Sequence, residues 1–574
     1  MLRSPRWLLA FIASIGLLAG GGCAELPKQV DRPVSHALAS PTGTPLAALV
    51  KQRHDAAQAR FDSGFQLLDG PQAAYGTRLA LIEGAQKTLD LQYYAIHADA
   101  STRRLMSAVR EAAARGVRVR ILIDDFHSTG RDALVLLLTY DKNIEVRLFN
   151  PVAGARGSTL GRLVNSIDDP QRIQQRMHNK LFLADNVLGV TGGRNLGDAY
   201  FGIGEDGNFV DLDVLAAGPI VQDLSRSFDS YWNNERAYPV EALVKREELE
   251  SIRDEARSDA KDKPEEDAKA AKNRRTVAWD EKAADLQSAE FVWAPAAMLA
   301  DKPGKIAASN EEAASATSTQ RSARSNEPGL VVMQPAGMQR TAAKAPGGRQ
   351  AAVEDAADTT AGSDTLVEGL LQLIGQANSD LLIISPYFVP GPDITQALAA
   401  LHARGVRVRV LTNSLASNDA PIAHVGYARH REALLKMGVD LYEMRSEQAG
   451  IGSAFGSSGS SMTGASRAML HSKVLVMDNR LLVVGSMNLD LRSQKQNTEV
   501  ALLIGSRKLS GTTTEVIEKT LREGAWHVEL VDGRLTWRAP QGSGLEDTTT
   551  EPDASAGLKL MLKVLGPLAP DSIL

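Results

Sequence analysis

The chain has 574 residues, 43% of them hydrophobic and 23% charged, enough at about 150 residues per domain for three or four domains and at least two apolar cores. Wholesale disorder and a small stapled fold are both excluded. Lys and Arg number 64 against 69 Asp and Glu, a formal net charge of -5, so the chain lacks the long-range positive field that attracts nucleic acid, and nucleic acid is not expected as a partner. A single cysteine, Cys23, excludes an intramolecular disulfide and a thiolate zinc cluster.

Residues 1–23 read as an export leader: Arg3 and Arg6 form a basic start, 7–19 is an apolar run, and Gly20-Gly21-Gly22 leads to Cys23. The run is shorter than the ~20 residues that cross a bilayer. Cys23 resembles the acylated cysteine of bacterial lipoproteins, with Gly20 where that family's box usually has Leu. This resemblance implies a mature chain that starts at Cys23, lipid-anchored or membrane-associated on the periplasmic side of a bacterial cell envelope, with the membrane surface as a partner.

Further along, the chain repeats itself. Ala114-Arg115-Gly116-Val117-Arg118-Val119-Arg120 recurs unchanged as 403–409, 289 residues later. In each copy an amphipathic stretch ends at Gly and passes into alternating Val and Arg, the pattern of a helix with a Gly cap followed by a strand. Another helix and strand precede each copy: 78–88 then 89–94, and 366–377 then 381–387. Helices alternating with strands predict an α/β fold of two pseudo-symmetric halves, 50–240 and 365–540, each a mixed sheet flanked by helices. Between them, 241–364 divides into a charged, solvated helix over 245–275 and a stretch poor in aromatics, 306–364, expected to be mostly a disordered linker. A Gly/Ser-rich tract at 450–466 reads as a mobile loop. Within the C-terminal tail, 541–574, the apolar run 558–568 is expected to dock on the core.

The chemistry lies in the second part of each repeat. His178-Asn179-Lys180 with Asp185 is matched by His471-Ser472-Lys473 with Asp478, and each is followed by Gly-x-x-Asn, 192–195 and 485–488. In a strand, residues two apart share a face, so each histidine stands beside a lysine. Asp185-Asn186 and Asp478-Asn479 are turn dipeptides, which makes each motif a hairpin whose return strand brings Gly193 and Asn195, or Ser486 and Asn488, back beside the histidine. The small residues would let backbone amides approach an anion. Two imidazoles, two ammonium groups and two amides around one phosphate make a phosphoryl-transfer site that needs no metal and no cofactor. As turn residues, Asp185 and Asp478 would cap their own backbone. Asp124 and Asp125 read as polar residues at a strand end facing the cleft.

These motifs resemble those of the phospholipase D superfamily in its two-motif, single-chain form, over 61–504 apart from the linker. More narrowly, Leu411 to Ser417, His424-Val425-Gly426-Tyr427, Leu441-Tyr442-Glu443, Tyr93-Tyr94 and Phe228 to Asn233 resemble the bacterial cardiolipin synthases. The resemblance implies a phosphatidyltransferase with its site at the junction of the halves, making cardiolipin from phosphatidylglycerol and a second phospholipid, phosphatidylglycerol or phosphatidylethanolamine. It implies catalytic roles for His178, Lys180, Asp185, His471, Lys473 and Asp478, with His178 as nucleophile and His471 as general acid and then base, and substrate contacts from Asn195, Asn488, Gly193 and Ser486. A carboxylate just downstream of each motif, Asp211 in the first half and Glu499 in the second, would orient each imidazole, with Asp213 as an alternative to Asp211. His424 lacks a local partner pattern and reads as a satisfied or exposed histidine, a site-lining place being the alternative that the resemblance offers. A phosphodiesterase hydrolysing phospholipid is the alternative, an exported nuclease a weaker one. No protein partner is indicated.

Overall fold

The computed structural model describes residues 25–154, 156–157, 170–204, 207–262, 281–306, 330–333, 349–446 and 467–565. The leader with Cys23, the charged segment from 263 to 275 and the tract 450–466 lie outside the described residues.

The first sheet draws on β1 (Gly64–Leu68), β2 (Thr88–Tyr93), β3 (Arg118–Asp124), β4 (Ile144–Phe149), β5 (Leu181–Ala184), β6 (Leu188–Gly192), β8 (Asp213–Ala217), β9 (Ala237–Pro239) and β10 (Val292–Trp293), while β7 (Gly207–Val210) stands apart. The second draws on β11 (Ala296–Asp301), β12 (Leu330–Met333), β13 (Asp380–Ile384), β14 (Arg407–Asn413), β15 (Asp440–Met444), β17 (Val474–Met477), β18 (Leu481–Gly485), β19 (Val500–Gly505), β20 (Ala525–Val531) and β21 (Arg534–Arg538), with β16 (Arg467–Leu470) outside it. The orders are β10-β1-β8-β6-β5-β2-β3-β4-β9 and β12-β11-β19-β18-β17-β13-β14-β15-β20-β21. The nine strands of the first order match the first nine of the second, which adds β21 at its edge: three parallel central strands, then antiparallel neighbours on both sides.

The repeated heptapeptide shows why this unit forms twice. Helix α1 (Pro71–Gly84) precedes β2, and α2 (Ala100–Ala114) precedes β3, started by an Asp99–Thr102 capping box. It ends at Gly116, whose φ of +99° only glycine adopts without strain; Gly405, at +76°, does the same between the two later elements. The last arginine of each copy then clamps three elements together. Arg120 on β3 grips Asp90 on β2 at 2.7 and 2.8 Å and meets Asp229 on α3 (Pro219–Trp232) at 2.8 Å. Arg409 on β14 meets Asp380 on β13 at 2.7 Å and Glu518 on α9 (Arg507–Glu523) at 2.9 Å. With the guanidinium heads buried, each ion pair is a bidentate or bridging one that specifies register.

Strand parity sorts the apolar side chains into three layers. Leu89, Leu91, Ile121 and Ile123 face α1 and α2 in an outer core. Leu122, Leu181 and Leu183 face inward and meet Leu382, Ile384 and Val474 of the second sheet, together with α3 and α9 (Arg507–Glu523). Leu381, Ile383 and Leu475 face a third core under α5 (Arg349–Thr360), α6 (Leu366–Ile374) and α7 (Pro392–Ala403). The middle core belongs to both halves, so neither sheet buries its inner face alone.

Three expectations change. The second half begins at β11, since Ala296 to Ala300 pair with β19. The segment 306–364 supplies β12, whose apolar run Leu330 to Met333 pairs with β11, and α5, whose Val353, Ala356 and Ala357 are buried in the third core because small side chains allow close approach. Helix α4 (Arg246–Asp262) is not solvated all round, for Leu249 and Ile252 sit in the first core. In the tail, α10 (Ala556–Leu565) packs against α8 (Pro421–Lys436); among the described residues no helix is long and apolar enough to cross a membrane.

The hairpin turns are formed by Asp185 and Asn186 at φ of 49° and 54°, and by Asp478 and Asn479 at 50° and 49°. Their carboxylates cap a neighbouring strand rather than their own turn. Asp185 accepts from the backbone N–H of Gln86, Lys87 and Thr88 at 3.0, 2.7 and 2.9 Å, and Asp478 from Asn378, Ser379 and Asp380 at 3.1, 2.8 and 3.1 Å. The positive φ turns each carboxylate toward the chain entering the central strand. For Asp478 those donors outweigh burial and hold its pKa below the usual carboxylate value. Removing such an acceptor strands three N–H groups. We therefore expect Asp185→Ala to cost on the order of 3 kcal/mol in urea unfolding while leaving the turnover of the folded fraction intact; lost turnover in fully folded protein would return Asp185 to the reacting site.

Candidate active site

Two short backbone junctions build the site. β7 and β16 pair in parallel, Val210 opposite Leu470, and Met177 bridges Thr498 in the same sense. The N–H of His471 then donates to Val210 O and that of His178 to Thr498 O, both at 2.9 Å. Each histidine is thus docked beside the residue that precedes the acid of the other half. The consequence is a crossed pairing. His178 Nδ1 lies 2.9 and 3.1 Å from the Glu499 carboxylate, and His471 Nδ1 lies 2.7 Å from Asp211. Taken by chain order, each acid belongs to the histidine upstream of it in its own half; the structure exchanges them, because the junctions run between halves. Asp213 is elsewhere engaged, 2.8 Å from Arg78. The two motif histidines also precede their strands, β5 and β17, rather than lying in them. With Nδ1–H directed at a carboxylate, Nε2 is the nitrogen left for chemistry in each ring.

Lys180 and Lys473 are buried and donate back to the carbonyl of their own histidine at 2.7 and 2.5 Å. Burial drives both ammonium groups down, to about 7 and about 8. Burial also lowers His178, to about 4, with Lys180 adding to the effect against Glu499. His471 falls far below the imidazole range through burial and the nearby Lys473 and Lys180. A buried pocket of cationic groups beside neutral imidazoles is a receptacle for an anion.

The two acids differ. Glu499 accepts from the Ser486 hydroxyl at 2.5 Å and from the Ser493 hydroxyl at 2.8 Å besides His178, and although burial opposes ionisation, His178 and Lys180 hold its pKa low. Asp211 accepts from His471 and its neighbour Leu212 N–H, and burial raises it. The in-register residues Gly193 and Ser486 account for this difference. A Cβ on Gly193 would stand 2.3 Å from Asp211 Oδ1, so glycine makes room for the shorter acid. At Ser486 the N–H is taken by Val500 O, so its amide is not offered to an anion as the small-residue reading expected; its hydroxyl braces Glu499 instead.

Asn195 accepts from Ala95 N–H and donates to the Tyr200 hydroxyl at 3.0 Å. Asn488 presents a buried Oδ1 with no hydrogen-bond partner among the described residues. Aromatic edges wall the imidazoles: Tyr94 is 5.1 Å from His178 and 4.8 Å from His127, while Tyr200 and Phe209 lie 5.4 and 5.0 Å from His471. His127, Tyr200 and Ser493 were not singled out, and no local spacing marks them. Asp124 and Asp125 do not face the cleft as free polar groups. Asp124 accepts from Met177 N–H at 2.8 Å and pairs with Arg176, bracing the approach to His178, while Asp125 pairs with Arg156. His424 is buried, 3.1 Å from Arg431 in a network with Glu551 and Glu443, and is not among the residues around the motif histidines.

A family model described as cardiolipin synthase, PLD-like domain, matches residues 79–232 and 370–521. The chain is 34% identical over 478 residues to cardiolipin synthase C of Escherichia coli (strain K12), covering 81% of this chain and 86% of that one. Cardiolipin synthase A of Pseudomonas syringae pv. syringae (strain B728a) is 24% identical over 441 residues, 76% of this chain and 64% of that one. The crystal structure of phosphatidylserine synthase from Haemophilus influenzae Rd KW20 covers 92% of this chain and 99% of its own, with a TM-score of 0.52 at 13% identity, a likeness of fold.

Gly193→Ala is expected to push Asp211 off His471 and lower kcat about 10- to 100-fold, the range for losing an orienting partner, with the far-ultraviolet spectrum unchanged. Wild-type kcat in that variant would show that Asp211 does not need the space.

Proposed function

Because the chain belongs to the phospholipase D-like family of cardiolipin synthases, we propose that this enzyme transfers a phosphatidyl group from phosphatidylglycerol to a second phospholipid, making cardiolipin. One observation carries the reading: two imidazoles, each held by the other half's carboxylate, beside two buried lysines. Lys180 and Lys473 are suited to the non-bridging oxygens of a phosphodiester, and an anion arriving among them restores their charge. The acids support a division of labour. Glu499, ionised and held by three side-chain donors, suits His178 as a neutral nucleophile; Asp211, raised by burial, belongs to the pair that gives up a proton.

The phosphodiester's negative charge offsets the lysines that add to burial in depressing His471, so His471 takes up a proton as the substrate binds. His178 Nε2 then attacks phosphorus, a P–N bond forms as the bond to the leaving glycerol oxygen breaks, and the alkoxide takes the Nε2 proton of His471. The second lipid's hydroxyl then attacks; His471 accepts its proton, the new P–O bond forms and the P–N bond to His178 breaks. Asn195 and Asn488 would steady the headgroup oxygens. Phosphatidylglycerol or phosphatidylethanolamine serves as the second lipid in this reading, and the leader with Cys23 assigns the work to the cell envelope.

Purified enzyme given labelled phosphatidylglycerol should yield cardiolipin, and His178→Ala none; phosphatidic acid as the dominant product would replace transfer by hydrolysis. The pH profile of kcat/KM follows from the shifts. A nucleophile must be unprotonated, so activity is lost as pH falls toward about 4, where His178 charges. Lysines must be protonated, so it declines again as pH rises past about 7 to 8. An alkaline limb that begins only near pH 10 would remove the lysines from this role.

A further inference from the structure

We propose that the rim of the cleft is a membrane-docking face, which lays the protein on an anionic phospholipid bilayer with the site mouth at headgroup level. The proposal rests on the phosphatidyl-transfer reading for the direction in which the site must open.

The two central strands β3 and β14 occupy equivalent places in the two sheets, and the segment after each carries an outward apolar side chain. Phe126, 41% exposed, follows β3. Its ring is 5.2 Å from His127, which is 4.8 Å from Tyr94, which is 5.1 Å from His178. Ile422, 51% exposed, stands in the first turn of α8. Three residues before it, Asp419 accepts from the Tyr387 hydroxyl at 2.8 Å, and Tyr387 is the second-half counterpart of Tyr94. Each half thus sets one exposed hydrophobic side chain at the edge of the same buried site.

Helix α10 extends this rim. The chain leading into it is held at the C-terminal end of β15, where Asp553 meets Arg445 at 3.5 Å and accepts from Trp526 Nε1 at 3.2 Å, and the helix packs against α8. Leu560 and Val564 are four apart, on one helix face, 62% and 55% exposed. Lys559 and Lys563 each precede one of them. An apolar stripe flanked by lysines is the composition of a helix lying in the plane of an anionic membrane interface.

Substrate chemistry selects the occupant. A phospholipid brings acyl chains that are costly to draw into water, while its phosphodiester must reach lysines that are 1% exposed. Both conditions hold together when the rim sits in the headgroup layer and the chains stay in the bilayer. A second protein copy on this face would cover the entrance instead.

The test uses the full chain with Cys23→Ser, so that an acyl group cannot mask the result, in two versions, with and without His178→Ala. Co-sedimentation with phosphatidylglycerol vesicles is expected for both, which separates docking from catalysis. Adding Ile422→Ser, Leu560→Ser and Val564→Ser should lower vesicle partitioning at least tenfold and cut activity on vesicle substrate in step, while activity on monomeric short-chain phosphatidylglycerol stays within twofold. Phe126→Ser should weaken vesicle partitioning on its own. Equal partitioning of the triple variant overturns the proposal, as does an equal loss on monomeric substrate. A shift from dimer to monomer on mutation, without change in vesicle binding, also overturns it and makes the face a subunit contact. If the version with His178 intact docks but makes no cardiolipin, the functional reading fails and the docking face stands.

Discussion

The pairing of each imidazole with a carboxylate from the opposite half is the constraint on which the rest depends. It demands that Thr498 and Val210 sit within backbone hydrogen-bond reach of His178 and His471, and so that the halves meet in one relative position. The shared middle core supplies that position. Leu122 and Leu181 of one sheet and Leu382 and Val474 of the other lie in the same buried cluster, so sliding one half against the other would open apolar surface as well as break the two pairs. Packing and catalytic geometry are therefore set by the same contacts.

Electrostatically the site is held at a cost. Two lysines taken out of water lose hydration that their carbonyl bonds only partly replace, and the lowered pKa values of both register that loss. A phosphodiester entering among them recovers part of it, so the resting pocket favours the ligand that relieves it. The same burial keeps the imidazoles neutral while they wait. What distinguishes them is the surroundings of their acids: three side-chain donors on Glu499 against a crowded Asp211 that needs glycine at position 193.

Much of this was legible in the residue pattern, and what was not has a physical reason. The duplication, the Gly caps after α2 and α7, the alternating strand residues and the Asp-Asn turns are local, period-bound signals, and local structure follows them. The His-x-Lys pairs were visible because few other residues share that spacing. The exchange of Asp211 and Glu499 was not, since it depends on how β7 finds β16, a contact between segments some 260 residues apart. The segment around α5 misled for a different reason. Its alanines look like linker composition, yet Ala356 and Ala357 are what let that helix approach the sheet closely. His424 reads as a satisfied histidine against the resemblance's alternative of a site residue, and its neighbours Arg431 and Glu551 hold it in a buried ionic network.

The exchange of acids bears on how such a molecule could have arisen. A solitary half would own an imidazole with nothing to steer it and a carboxylate with nothing to steer, so an ancestor of that size could have worked only as a pair. Joining the copies in one polypeptide turned an encounter governed by concentration into one governed by tether length. It also released the copies from identity: once both were always present, one could settle on glycine with aspartate and the other on serine with glutamate.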